Sequence, residues 1–414
     1  MRSNAGARPR TGDPLDHLPM GVRDDLRLRR ARQLGGGGTP AEVYLCEDGD
    51  GESVVVKILQ ARAGSVDGHD LSSFLHKPAQ INRIHQELPG LSPYYVSIVG
   101  QWQGPGWGAY AMPRVEGVSP VTLLHAGGAG TRGFLETTRS VFEVLGTHGY
   151  PASAVPAPPR HGVSTHLDRV ARRLSLLERH LDLPPAGEAD LQVNGRRVPP
   201  VRELLRRAAA RADVLATIQP TRLYFPVHGD LNLGNVLVRP DDGAGDVSGH
   251  GFTVLDPRGI LDHWDPVYDA AKSLFSLTLF DAAMSGGFQI GRSGSRSYEL
   301  RLRRPIRAYL DAAVDFPAML ATVGFFRQLG RSDPQWPRRL WYSHAFHVLA
   351  EAACRLSDLT VRELPGVSGW AARRELALGL HLSGLLLLDD LLSRPGQAEE
   401  DPAKHLACLA GAGP

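Results

Sequence analysis

The sequence predicts an α+β chain of two lobes, a small antiparallel β-rich lobe followed by a larger, mainly helical one. Between residues 26 and 116, short β-branched and aromatic runs alternate with turn dipeptides, and only one helical stretch interrupts them. From residue 117 onward, apolar residues recur mostly at three- and four-residue spacing, the signature of helices with one buried face. At 414 residues and 44.8 kDa the chain is long enough for two or three units with cores of their own.

Residues 1–25 carry charge and proline but no apolar signal segment, and read as a flexible leader. The β-rich lobe, 26–116, begins with RLRRARQL and a GGGG turn. Two strands follow, AEVYLCE and SVVVKIL, joined by the DGDG hairpin turn. LSSFLHKPAQINRIHQEL reads as a helix, and YYVSIVGQWQ and WGAYAMPRV as further strands. The helical lobe, 117–414, contains the connector PASAVPAPPR and two amphipathic helices, HLDRVARRLSLLERHLDL and VRELLRRAAARADVLATI. LYFPV, NVLV and GFTVLD read as strands. Everything beyond Pro266 reads as helical except the loop GGFQIGRSGSRS. LALGLHLSGLLLLDDLL, residues 376–392, is interrupted by His and ends in two Asp, so it reads as a buried helix rather than a membrane span.

Composition excludes some function classes. A net charge of +2 gives no case for nucleic acid as a partner. Three scattered cysteines, with no metal or disulfide spacing, fit a reducing cytoplasm. Only four of the 46 basic residues are lysine (Lys57, Lys77, Lys272, Lys404). In so arginine-rich a chain, a lysine is expected where a guanidinium cannot substitute.

The stretch VHGDLNLGNVLV, residues 227–238, places Asp230 and Asn235 five apart on a loop between strands. The next strand ends at Asp256, in VLDPRG, and a hairpin would bring Asn235 and Asp256 together at one end of the sheet. An amide carbonyl and a carboxylate are hard oxygen ligands, suited to Mg²⁺ that also holds phosphate. Asp230 would face the same phosphate and could take the proton of an attacking hydroxyl. Lys57 lies on the otherwise apolar strand VVVKIL, where a buried ammonium needs an anion. Arg258 adds a fixed cation beside the metal site.

His228-Gly229-Asp230, then Asn235, then Asp256 resembles the catalytic and metal motifs of the protein-kinase-like fold, in the form found in the aminoglycoside phosphotransferase and choline kinase branch. The resemblance covers roughly residues 30–275. It implies ATP and Mg²⁺ as cofactors, Asp230 as the catalytic base, and Asn235 and Asp256 as metal ligands. Gly36 and Gly38 resemble the glycine-rich loop, with Ala41 in place of its third glycine. Lys57, fourteen residues after Val43, resembles the lysine that holds the α- and β-phosphates. YAMPRVEG resembles the linker strand that meets adenine through the main chain around Met112 and Arg114. WDPVYDAAKS matches the branch too. There Asp265 reads as a helix cap and Asp269, with His228, as support for the catalytic loop.

Two departures stand out. The helix after Lys57 has no early Glu to pair with it, only Glu87 at its end, and Asp256 is followed by Pro-Arg-Gly. The function implied is transfer of the γ-phosphate of ATP to a hydroxyl of a small molecule, such as a sugar, antibiotic or natural-product intermediate. Arginine-rich helices around the acceptor region favour a neutral or anionic acceptor. The alternative is a catalytically silent, nucleotide-binding regulatory protein of the same fold.

Overall fold

A computed structural model of the chain describes residues 13–34, 41–61, 68–126, 128–181, 183, 190–239, 251–303, 307–357 and 369–409. It has the expected two-lobed α+β architecture, a small antiparallel β lobe followed by a larger, mainly helical one. In the small lobe, α1 (Met20–Leu26) precedes β1 (Arg30–Gln33), β2 (Glu42–Glu47) and β3 (Ser53–Gln60). Then come α2 (Leu71–Glu87), β4 (Gly100–Gly104) and β5 (Trp107–Pro113). The five strands form one antiparallel sheet in the order β1-β2-β3-β5-β4. The DGDG turn closes the β2–β3 hairpin as expected. Asp48 Oδ1 accepts from the Asp50 and Glu52 N–H groups at 3.0 and 2.9 Å, an Asx-type turn.

The alternation of β3 decides which side chains reach the cleft. Val54, Val56 and Ile58 turn to one face and pack with Tyr44, Cys46, Ala109 and Ala111. Leu18 and Val22 cover that same core, so residues 13–26 are not a leader but a helical cover over the outer face of the sheet. Residues 1–12 lie outside the described residues. On the opposite face, Val55 and Lys57 point into the cleft.

The large lobe continues with α3 (Gly128–Val144), β6 (Ser153–Pro156) and α4 (Arg169–His180). β7 (Leu191–Val193), β8 (Arg196–Val198), α5 (Val201–Ala209), α6 (Ala212–Ile218) and β9 (Arg222–Phe225) follow. β10 (Val236–Val238) and β11 (Phe252–Val254) then pair as an antiparallel hairpin. The rest is α7 (Val267–Phe275), α8 (Asp281–Gly286), β12 (Phe288–Ser293), β13 (Ser297–Leu302), α9 (Arg307–Thr322), α10 (Gly324–Ser332), α11 (Trp336–Ser357) and α12 (Gly369–Ser393). The segment 286–302, expected as loop then helix, is instead the hairpin β12–β13, which joins β7 and β8 in a four-stranded sheet. Its buried Phe288, Tyr298 and Leu300 supply the period-two face. α12 is long and apolar enough to cross a membrane, yet 83% of its most apolar window is buried in the protein, as expected of a core helix. Its Asp389 and Asp390 bind Arg196 at 2.7 and 3.1 Å.

Candidate active site

The β10–β11 hairpin builds one wall of the site. Asn235 immediately precedes β10 and Asp256 lies just past β11. The Leu255 N–H donates to the Asn235 carbonyl at 2.8 Å, holding the two chain ends side by side. The His-Gly-Asp turn before them is fixed from beneath. Asp269, fully buried on α7, accepts from the His228 and Gly229 N–H groups at 2.9 and 2.7 Å and from Tyr150 Oη at 3.1 Å. Burial pushes the Asp269 carboxyl up to about 7 against these three donors. The Asp230 N–H donates to His228 Nδ1 at 3.1 Å, so the imidazole carries its proton on Nε2 and donates to the Leu255 carbonyl at 2.8 Å. Burial holds His228 down at about 4, a neutral strut between the two loops. Gly229 has φ +75°, and a Cβ there would lie 2.4 Å from Ile260 and 2.9 Å from Arg258. Only glycine fits that turn.

Asp256 gathers the cations. It sits at φ +53°, a left-handed conformation that Asp tolerates better than most residues. Its Oδ1 accepts from Lys57 Nζ at 3.1 Å, Lys77 Nζ at 3.0 Å and Tyr110 Oη at 2.9 Å. Burial would raise this carboxyl, but the two ammonium groups and these bonds hold it far below the usual carboxylate range. Lys57 itself is lowered, because burial outweighs the attraction of Asp256. The α2 residue facing this cluster is therefore Lys77, not a glutamate. Glu87 pairs with Arg83 at 3.0 Å at the solvent-facing end of the helix. Gln80, one turn from Lys77, binds α2 to both loops. Its Nε2 donates to the Val227 carbonyl, and its Oε1 accepts from the Gly259 and Ile260 N–H groups, all at 2.8 Å.

Asp230 has a lysine of its own. Lys272, one turn beyond Asp269 on α7, reaches Asp230 Oδ1 at 2.9 Å and Glu351 of α11 at 3.5 Å. Burial pushes Asp230 up, but Lys272 and Lys77 outweigh it and hold the carboxyl below its ordinary value. It is a carboxylate at neutral pH. Asn235 Nδ2 donates to the Asp230 carbonyl at 2.8 Å and, at 3.4 Å, to its Oδ2. That fixes the amide with its own oxygen turned away from Asp230.

These groups line one cleft of about 540 Å³ between the lobes. At one end Leu34, Val43, Val55, Met112, Leu237 and Leu255 form an apolar slot. Met112 lies in that slot. Arg114 lines it too, but its guanidinium pairs with Glu116 at 2.9 Å and its N–H donates to the Ser53 carbonyl at 2.9 Å. Gly36 and Gly38 lie outside the described residues. Arg258 also lines the cleft, donating to Tyr268 Oη at 3.1 Å.

The donor set fits Mg²⁺. The Asn235 amide oxygen is directed away from Asp230, and Asp256 Oδ2 takes none of the three bonds that crowd Oδ1. Lys77 and Lys272 are the functional candidates that motif reading passed over. Their signal was compositional, since three of the chain's four lysines line this cleft. Asp265, read as a helix cap, accepts from the Val267 N–H at 3.1 Å and also from buried Arg339 at 2.7 Å.

No protein-family model and no curated protein matches the chain. Solved structures are similar at low identity. A Haemophilus somnus protein assigned as a fructosamine-3-kinase aligns with TM-score 0.41 and 12% identity over 85% of this chain and 91% of its own. An aminoglycoside-3'-phosphotransferase of type VIII aligns with TM-score 0.40 and 15% identity over 78% and 98%. Amicoumacin kinase, in complex with AMP-PNP, Ca²⁺ and amicoumacin, aligns with TM-score 0.37 and 11% identity over 88% and 93%. Likeness at this level says nothing of chemistry, which rests on the side chains above.

Proposed function

We propose that this chain is an ATP-dependent O-phosphotransferase that moves the γ-phosphate to a hydroxyl of a small molecule, with residues 26–116 as the nucleotide-binding lobe. One observation carries the reading: Lys57 and Lys77 on Asp256, and Lys272 on Asp230, put three ammonium groups and two carboxylates around one cleft beside an apolar slot. The slot takes the base. Lys57 and Lys77 take the α- and β-phosphates, whose negative charge stabilises ammonium groups that burial alone would penalise. Mg²⁺ held by Asn235 and Asp256 would supply neutralisation of the phosphate charge. Asp230 accepts the proton of the acceptor hydroxyl and orients it. Lys272 keeps Asp230 ionised and lies where charge on the transferred group is to be offset. Phosphoryl transfer leaves little covalent work to the protein, so this positioning and electrostatics account for most of the catalysis.

Release of ADP from ATP and Mg²⁺, measured over a panel of hydroxylated metabolites, tests the reading. Acceptor-dependent release supports it. Tight ATP binding with no release over the whole panel favours the silent, nucleotide-binding alternative. One feature favours that second reading: α2 offers Lys77 where kinase-like enzymes offer an acid to the phosphate-binding lysine.

A further inference from the structure

α7 runs through a π turn, Ser276–Phe280, straight into α8, and one face of this helix holds the catalytic loop along its length. Asp269 accepts from the His228 and Gly229 N–H groups, and Lys272 pairs with Asp230. Ser273 Oγ donates to the Leu231 carbonyl at 2.8 Å, and Ser276 Oγ accepts from the Leu233 N–H at 3.0 Å. These are positions i, i+3, i+4 and i+7 of the helix, a single stripe. Asp269 and Lys272 act on the His-Gly-Asp turn. Ser276 acts further along, beside Asn235.

Leu233 opens the short 3-10 turn Leu233–Asn235 that delivers the Asn235 amide. The residue is clamped at both polar ends. Its N–H goes to Ser276, its carbonyl accepts from Ser119 Oγ at 2.8 Å, and its side chain is buried. A serine hydroxyl has one proton to give, and the Ser276 proton goes to Asp281 Oδ2 at 2.5 Å. With the proton fixed there, a lone pair is left to face the Leu233 N–H. The π turn makes the pair possible. The Asp281 N–H donates to the Ser276 carbonyl five residues back, and the extra residue in the turn brings those two side chains together. Phe280, the last residue of the turn, lines the cleft. Stability does not account for Asp281. Burial pushes its carboxyl up to about 6, and among the described residues the Ser276 hydroxyl opposes this where a cation does not. A carboxylate so placed costs the fold stability at neutral pH.

We infer that Asp281 is a positioning residue for the metal ligand Asn235: by taking the Ser276 proton it turns the Ser276 oxygen to the Leu233 N–H and so sets where the Asn235 amide stands. This rests on the phosphotransferase reading for the Mg²⁺ that Asn235 would hold, and on the hydrogen-bond chain alone for the positioning.

The test titrates AMP-PNP calorimetrically into the full chain over a series of Mg²⁺ concentrations, and again in EDTA, so that metal affinity and metal-free nucleotide affinity are read separately. Asp281→Leu and Ser276→Ala each break the chain. Both are expected to weaken Mg²⁺ about ten- to a hundredfold, the usual loss when a partner behind a metal ligand is removed, and to leave metal-free AMP-PNP affinity in place. Asp281→Asn still offers an oxygen to the Ser276 proton and is expected to restore most of the Mg²⁺ affinity. A merely structural role would lower the urea midpoint and leave Mg²⁺ affinity where it was. Unchanged Mg²⁺ affinity in either folded variant overturns the inference, as does a loss in Asp281→Asn equal to that in Asp281→Leu. Ser276→Ala keeps the test usable if Asp281→Leu fails to fold. AMP-PNP binding that ignores Mg²⁺ in the parent chain overturns the phosphotransferase reading instead. Amide hydrogen exchange then decides the positioning: faster exchange at Leu233 in Ser276→Ala and Asp281→Leu supports it, and unchanged exchange overturns it.

Discussion

At the scale of single residues, the division of labour among the lysines is the sharpest claim to check. Asp230→Asn keeps the shape of the loop and the Lys272 contact but removes the proton acceptor. It is expected to leave ATP affinity intact and to lower turnover by roughly 10²–10⁴-fold. Near-normal ADP release by that variant would remove Asp230 from the mechanism. Lys77→Met leaves Asp256 with one ammonium, Lys57, and with Tyr110. If Lys77 holds phosphate, ATP binding weakens about tenfold or more, the scale of one charged hydrogen bond. If it only neutralises Asp256, nucleotide affinity stays the same and Mg²⁺ dependence alone shifts. Motif spacing singled out Lys57, Asp230, Asn235 and Asp256 before any coordinates, and the structure brings all four to one cleft. Lys77 and Lys272 belong to no such string. Lys77 lies 179 positions from the carboxylate it binds, so only folding reveals the pair.

At the scale of elements, Gln80 is the joint between the lobes. One fully buried amide joins α2 to the carbonyl before the His-Gly-Asp turn and to two N–H groups after Asp256. Gln80→Leu has similar volume but leaves those three main-chain groups without that partner. The expected cost is about 2–4 kcal/mol, since each unsatisfied buried group costs about 1–3 kcal/mol and water can reach some of them. Denaturant unfolding with unchanged m-value checks it, and a loss under 0.5 kcal/mol, the range of about ±0.5 kcal/mol typical of surface changes, would mean Gln80 joins nothing. Legibility of the elements followed local signals. The DGDG hairpin and the apolar strand around Lys57 carry strong turn and propensity cues, and they form as expected. The β12–β13 hairpin was hidden by its RSGSRS turn, which reads as loop. It is a sheet because β13 also pairs with distant β7, a contact across more than a hundred positions of chain. Likewise, nothing local distinguishes α1 from a leader. Val22 becomes core only once β2 and β3 present Tyr44 and Val56 to it.

At the scale of the whole molecule, the core is unusual in what it titrates. His166, His228, His344, His347, His381 and His405 are all buried in the large lobe, and burial holds each below 6.5, at about 3 or 4 for the five with a defined value. An imidazole whose folded pKa is depressed binds its proton more readily in the unfolded chain. Stability from these six is therefore complete above about 6.5 and is lost as pH falls toward 3. Two carboxyls act oppositely. Asp269 and Asp281, raised by burial to about 7 and about 6, hold protons in the folded state that the unfolded chain releases, so their contribution declines as pH rises through those values. Near pH 5 the six histidines outweigh the two acids by about four protons. At about 1.4 kcal/mol per proton per pH unit, stability changes by about 6 kcal/mol per unit there. The protein is expected to be stable at pH 7 to 8 and to lose its urea midpoint steeply between pH 6.5 and 5. His381→Leu should flatten that slope by one proton, and Asp269→Asn should steepen it. A urea midpoint constant from pH 8 to pH 5 would show that the buried imidazoles take up no protons on unfolding, and with them would go the account of His228 as a neutral strut beneath the catalytic turn.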